Sequence, residues 1–304
     1  MPILIPKSIP AYKILEGENV FVMNKNRAES QDIRPIEILI LNLMPTKIET
    51  ETQLARLLAN TPLQVKLTFL KTKTYEAKNV SKSHMDEFYK SLDEIRDLSF
   101  DGMIITGAPV ETLDFEEVEY WEELKEIFEF ADKNVTTTMY ICWGAQAALY
   151  YHYGINKHQL PKKLFGIFPH KKMVIYEPLL NGIDDIFYVP QSRHTAINDE
   201  DLLSNSELVV LAKSEEAGST IVKSKDNKKL FLLGHLEYDK YTLDKEYKRD
   251  LDKGLPIEEP KNYYFDGDVN VLWRSTANIL FYNWLNYYVY QVTPYKFKKT
   301  IKKY

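Results

Sequence analysis

Sulfur cross-links are excluded at the outset, because the 304-residue chain has one cysteine, Cys142. No intramolecular disulfide can form, and a thiolate zinc cluster cannot be built from one copy. Such usage fits a reducing compartment. An excess of positive charge is missing as well: Lys plus Arg number 39 against 44 Asp plus Glu, a formal net charge of −5. That balance argues against electrostatic capture by nucleic acid or an anionic membrane. No apolar run approaches the roughly 20 residues of a membrane span, and the opening MPILIPK is too short for a secretory signal. A soluble cytoplasmic protein is expected, with no nucleic-acid or membrane partner. GxGxxG and GxxxxGK are both absent, so nothing points to a dinucleotide or nucleoside triphosphate. His152 and His158 stand six apart, off the spacing of one helical face, and no histidine-carboxylate cluster suggests a metal.

What is present is the composition of a folded globular chain, 44% hydrophobic and 27% charged. Residues 1–35, with Pro2, Pro6, Pro10 and Pro35, read as an extended arm packed on the body. From Ile36 the run IEILILNL is apolar at nearly every position, as in a parallel strand buried on both faces. Thr46 followed by Glu49 predicts a capping box for a helix carrying Ile48, Leu54, Leu57 and Leu58. Further strands are expected at VKLTFL from Val65, GMIITG from Gly102 and TTTMYI from Thr136. A helix is expected from Phe115 to Ala131, with Val118, Trp121, Leu124 and Phe128 on its apolar face. This alternation implies an α/β fold whose ligands lie at the carboxyl ends of the strands. Past His152 the stretches Phe187 to Pro190, Leu208 to Ala212, Ser219 to Val222 and Leu230 to Leu233 either extend that sheet or form a layer beside it. A helix over Val271 to Tyr288 and a basic tail (Lys296, Lys298, Lys299, Lys302, Lys303) close the chain. Without repeats or a Gly/Ser linker, residues 36–304 read as one domain.

Cys142 ends an apolar strand and precedes Trp143-Gly144-Ala145-Gln146-Ala147-Ala148, small residues that begin a helix which Gly154 would stop. This is the context of a nucleophile elbow, where a sharp turn presents the side chain and a helix N-terminus favours a thiolate. The bland alternative is a buried cysteine acting as a small hydrophobe. His235 follows the apolar Phe231 to Leu233 and Gly234, with Glu237 two positions on. That spacing suits a general base and the carboxylate that orients it.

Five segments, in this order, carry a resemblance over nearly the whole chain: LNLMPTKIETE from Leu41, TGAPVE from Thr106, MYICWGAQAAL from Met139, PQSRHT from Pro190 and GHLEYD from Gly234. The chain resembles the homoserine O-acyltransferases related to class I glutamine amidotransferases. The resemblance implies a flavodoxin-like, mostly parallel sheet with helices on both faces, a homodimer and a place in methionine biosynthesis. It implies Cys142 as the acylated nucleophile, His235 as general base and Glu237 as its orienter. Homoserine contacts fall on Lys163 in LPKKLFG, Ser192 in PQSRHT and Arg249 in EYKRD. Read from their chemistry alone, a lysine and an arginine suit an amino acid's carboxylate. Tyr140 departs from the amidotransferase pattern, standing where the G-x-C-x-G elbow has its first glycine.

In this family a small residue at the position of Glu111 goes with succinyl transfer and a glutamate with acetyl transfer. A carboxylate there would fill the acyl pocket and repel succinyl's own charge. The expected reaction is therefore transfer of acetyl from acetyl-CoA, a co-substrate, to L-homoserine through a Cys142 acyl-enzyme, with no resident cofactor. The backbone N–H groups of Trp143 and Ala108 are candidate oxyanion donors. The alternatives are succinyl-CoA as donor, a cysteine hydrolase or amidotransferase-like enzyme, and a non-catalytic binding protein.

Overall fold

The computed structural model describes residues 3–18, 20, 22–23, 34–74 and 79–294. The basic tail from Lys296 lies outside the described residues. Four parallel strands form the centre: β3 (Ile36–Leu41), β4 (Val65–Leu70), β6 (Phe100–Ile105) and β7 (Val135–Ile141), in the order β4-β3-β6-β7. Their apolar runs serve two cores. Ile38, Ile40 and Ile104 join the cluster on one face, while Leu39, Leu41, Met103 and Ile105 join that on the other. The period-two alternation of a strand thus buries both sets.

Helices cover both faces. Helix α2 (Lys47–Ala59) and α9 (Arg274–Asn283) supply Leu54, Leu58, Ala277 and Leu280 to the first cluster. The second receives Leu124 and Phe128 from α5 (Trp121–Asn134), and Ala147 and Leu149 from α6 (Trp143–Tyr153). Shorter helices are α1 (Pro10–Gly17), α3 (Lys82–Phe88), α4 (Leu92–Ile95) and α7 (Asp199–Ser204); α8 spans Thr242–Asp252.

The stretches after His152 extend the same sheet. Strand β12 (Lys229–Leu232) lies parallel to β7 and continues it outward. Beyond it β11 (Gly218–Ser224), β10 (Leu208–Ser214), β8 (Lys157–Lys172) and β9 (Ile186–Ile197) follow antiparallel. With short β1 (Ile3–Leu4), β2 (Val22–Met23) and β5 (Tyr89–Lys90), the sheet has twelve strands among the described residues.

Several expectations are corrected. The arm is not simply extended: β1 pairs with β4, and Pro10–Gly17 is helical. Pro10 opens that helix instead of blocking it, since a first-turn proline forfeits no hydrogen bond. Ile5, Ile9, Ala11 and Leu15 are buried against α2 and the sheet. The Thr46 capping box does not form, because Thr46 caps nothing with its side chain and Glu49 instead meets Lys245 at 2.9 Å. The helix expected from Phe115 begins only at Trp121. Phe115–Glu117 make a separate 3₁₀ turn, its ring stacked on Trp121 and Tyr150 at 5.4 and 4.8 Å. The closing helix changes to a π-helix over Trp284–Tyr290. No helix among the described residues is long and apolar enough to cross a membrane.

Candidate active site

Strand β7 delivers its chain directly into a turn at Cys142, whose φ of 52° and ψ of −117° lie where side chains other than glycine are rare. Helix α6 departs at once and ends on Gly154 at φ 68°. The crossing requires Gly144, because a Cβ there would stand 2.6 Å from the Thr106 carbonyl oxygen and 2.9 Å from that of Ile105. Gly107 sits as close from the other side, its imagined Cβ 3.2 Å from that of Cys142. The strain at Cys142 and these two glycines together build a nucleophile elbow.

His235 reaches the same place from the neighbouring strand. The Cys142 N–H donates to the Leu232 carbonyl at 2.7 Å, and the His235 N–H to that of Pro190 at 2.9 Å. Its Nδ1 lies 2.7 Å from Glu237 Oε1, leaving Nε2 for Cys142. Tyr238 stacks on the imidazole with centroids 4.1 Å apart. Burial works against a charged ring, but the charges and hydrogen bonds of Cys142 and Glu237 outweigh it and hold His235 well above the ordinary histidine range. The ring therefore favours its protonated form. Gly234 is closely enclosed too, since a Cβ would lie 2.7 Å from both Gln191 Nε2 and Val189 Cγ1, which would have to shift.

The two residues open on a cleft of about 420 Å³ that is also lined by Gly107, Ala108, Glu111, Lys163, Ser192 and Arg249. Most residues singled out from sequence thus meet in one place. Glu237 stands behind His235, and Trp143 packs its ring between Phe115 and Tyr120 while its backbone heads α6. Glu111 is pinned to β9, accepting from the His194 N–H at 2.9 Å. Lys163 comes from β8, Ser192 from β9 and Arg249 from α8.

Sequence reasoning missed the acids among them. Ser192 Oγ donates to Glu246, whose other oxygen accepts from Tyr238 OH at 2.9 Å. Lys163 Nζ lies 3.5 Å from Glu246 and 3.3 Å from Asp250. Arg249 Nε meets Asp250 at 2.7 Å; that hydrogen bond raises the guanidinium's pKa. Burial pushes the Asp250 carboxyl up, but Arg249 and Lys163 prevail and lower it. The one available signal was the spacing 246, 249, 250, a single helical face. Also missed was Arg193, buried and donating to Gln191 Oε1 at 3.1 Å and to the carbonyls of Thr195 and Ala217 at 2.7 Å each. Its burial pulls the pKa down against the opposing charges of Cys142, Glu111 and Asp199. Lys47, at the head of α2, donates to the Asn42 carbonyl. Burial lowers it to about 8, with Glu51 opposing.

Both the fold and the sequence have counterparts among known proteins. A solved glutamine amidotransferase from Methylobacillus flagellatus superposes with a TM-score of 0.53 over 84% of this chain and 95% of its own, at 13% identity. That likeness establishes the class I glutamine amidotransferase-like fold. Among curated proteins, homoserine O-acetyltransferase 1 of Ilyobacter polytropus is 58% identical over 98% of this chain and all of its own length. The homoserine O-acetyltransferase of Clostridium novyi is 59% identical over the same shares. A family model described as homoserine O-succinyltransferase matches residues 2–295. By coverage and identity alike, the chain belongs to the homoserine O-succinyltransferase family.

Proposed function

We propose that this protein is a homoserine O-acetyltransferase of methionine biosynthesis, moving acetyl from acetyl-CoA to the hydroxyl of L-homoserine by way of a Cys142 thioester. The observation that carries the mechanism is the juxtaposition of the elbow Cys142 with a His235 held at 2.7 Å by Glu237 at the floor of one cleft. Cys142 Sγ attacks the acetyl carbonyl while His235 holds the thiol proton. The tetrahedral intermediate then collapses, the bond to coenzyme A sulfur breaks, and the imidazolium returns the proton to the departing thiolate. Homoserine enters next. His235 takes its hydroxyl proton, the oxygen attacks the thioester, and Cys142 leaves as the acceptor of that proton. Glu237 steadies the imidazolium in both halves, and the backbone N–H groups of Trp143 and Ala108 are the oxyanion donors.

Glu111 favours acetyl over succinyl, since its carboxylate borders the cleft and would face succinyl's own at close range. Lys163, Ser192 and Arg249 hold the acceptor. The same reading makes the enzyme a cytoplasmic homodimer that needs coenzyme A thioester as co-substrate and no resident cofactor.

The test is intact-protein mass spectrometry after separate brief incubations with acetyl-CoA and succinyl-CoA, without homoserine. An acetyl adduct on the wild type, absent from folded Cys142→Ala and discharged by L-homoserine, is the expected result. A succinyl adduct would overturn the donor assignment. No adduct from either donor would overturn the covalent mechanism.

A further inference from the structure

Glu111 has no helix or strand of its own, standing in a turn between β6 and the 3₁₀ turn at Phe115. Strand β9 fixes it instead. Glu111 Oε2 accepts from the His194 N–H at 2.9 Å and from Thr195 Oγ1 at 3.4 Å. The same hydroxyl lies 2.9 Å from Gln146 Oε1, and Gln146 Nε2 donates back to the Thr195 carbonyl at 3.3 Å. Gln146 belongs to α6, so one threonine joins the cleft carboxylate to the helix that Cys142 heads. Arg193 holds the Thr195 carbonyl as well, at 2.7 Å, and β9 cannot retreat from α6 without breaking both bonds. Thr195 is 2% exposed and Gln146 1%, so these bonds form out of water. Glu111 and His194 line the cleft, whereas Thr195 stands behind them.

We infer that Thr195 is a positioning residue for donor selection: its hydroxyl, set by Gln146, holds the Glu111 carboxylate where it repels an acyl group that ends in a carboxylate of its own. This deepens the acetyl-CoA reading and rests on it. A glutamate on a turn has several free torsions, and a charge that swings away from an entering anion discriminates poorly. Both bonds to Glu111 fall on Oε2, so one oxygen anchors the group. The hydroxyl has a single proton for two acceptors. With the Gln146 nitrogen turned to the Thr195 carbonyl, the Gln146 oxygen competes with Glu111 for that proton. Charge favours the bond to Glu111 and distance the bond to the amide. The other donor to Glu111 is a backbone N–H, which leaves Thr195 as the side chain through which sequence can tune the hold.

The experiment measures how fast Cys142 is acylated by acetyl-CoA and by succinyl-CoA, read by intact-protein mass spectrometry without homoserine, with thermal melts to score folding. Thr195→Val is expected to lower the acetyl-over-succinyl rate ratio by about 10-fold, the scale of one hydrogen bond to a charged group. Thr195→Ser, which keeps the hydroxyl, is expected to stay within about threefold of wild type. In a Glu111→Ala background Thr195→Val is expected to move the ratio by less than about twofold, because its effect passes through Glu111. Should Thr195→Val fail to fold, Thr195→Val with Gln146→Leu removes both ends of the buried bond and the same ratio is read on it. A valine variant that slows both donors by one factor overturns the inference, because a merely structural role would act so. An equal fall in the ratio without Glu111, or a serine variant as permissive as the valine, overturns it too. Wild type without a preference for acetyl-CoA overturns the donor reading itself, and this inference with it.

Discussion

Single residues at the site divide into those that announce themselves and those that do not. Cys142 and His235 were legible because each directly follows an apolar run, and in a parallel sheet such positions surface together at the carboxyl edge. Glu246 and Asp250 were not, since acids in DKEYKRD read as an ordinary solvated helix face until the pocket places them. Arg193 was equally silent, for its partners are carbonyls and an amide that no spacing rule reveals. His170 offers a residue-scale prediction away from the cleft. It is buried between the Phe168 carbonyl at 2.9 Å and Thr220 Oγ1 at 2.6 Å, and burial lowers its pKa from 6.5 to about 4. Above pH 6.5 neither state protonates it and its contribution is intact. As the pH falls from 6.5 towards 4, the unfolded chain binds a proton that the native state refuses, and stability is lost by an amount on the order of 3 kcal/mol. His170→Gln is expected to have a flatter acid limb in urea unfolding followed between pH 7 and 4. Parallel slopes for the two proteins would refute a neutral, buried His170.

Elements were legible where burial is two-sided and obscure where it is not. Strand β3 reads as a nearly unbroken apolar run, and β4, β6 and β7 as short apolar stretches interrupted by a few polar residues, because both faces of this sheet are buried. Strand β8 escaped detection: KHQLPKKLFGIFPHKK contains two prolines, its burial alternates weakly, and a register shift interrupts its pairing with β9 between Gln159 and Leu164. Its identity as a strand comes from its neighbours rather than its own pattern. The junction of β6 with α6 carries a prediction at this scale. Gly144→Ala forces a Cβ to within 2.6 Å of a backbone oxygen, so α6 must shift and with it the turn at Cys142. A loss of about 1–3 kcal/mol is expected, accompanied by a fall in the rate of Cys142 acylation out of proportion to the unfolded fraction. Denaturant titration beside adduct-formation kinetics checks both; a variant with unchanged acylation would show that the elbow tolerates the shift.

Across the whole molecule, the N-terminal segment is structural in a way its prolines concealed. Ile3, Ile5, Ile9, Ala11 and Leu15 are all 3% exposed or less, and β1 adds to the parallel sheet at β4. Arg56 of α2 joins this segment to the catalytic side, pairing with Glu18 at the end of α1 and, at 2.6 Å, with Asp239 two residues past Glu237. Removing residues 1–18 uncovers a face of α2 and β4 and unties that pairing. Each buried aliphatic side chain contributes about 1.5–3 kcal/mol, enough in sum to rival the stability of a whole domain. The truncated protein is expected to lose its cooperative thermal transition. One that melts within a few degrees of the full chain would show the segment to be dispensable.

The sheet changes from parallel to antiparallel immediately after β12, and this has a consequence for how such an enzyme can diversify. Cys142 and His235 follow adjacent parallel strands whose spacing is set by a hydrogen-bond ladder, about 4.8 Å from strand to strand. Lys163 and Ser192 come instead from the antiparallel hairpin β8–β9, and Arg249 from a helix that follows His235 in the chain. On the proposed mechanism, the bond-making apparatus and the groups that choose the acceptor therefore belong to separate pieces of architecture. Mutation can reshape the hairpin and α8, and so retarget the acyl group to a different hydroxyl, while the ladder keeps sulfur and imidazole in register.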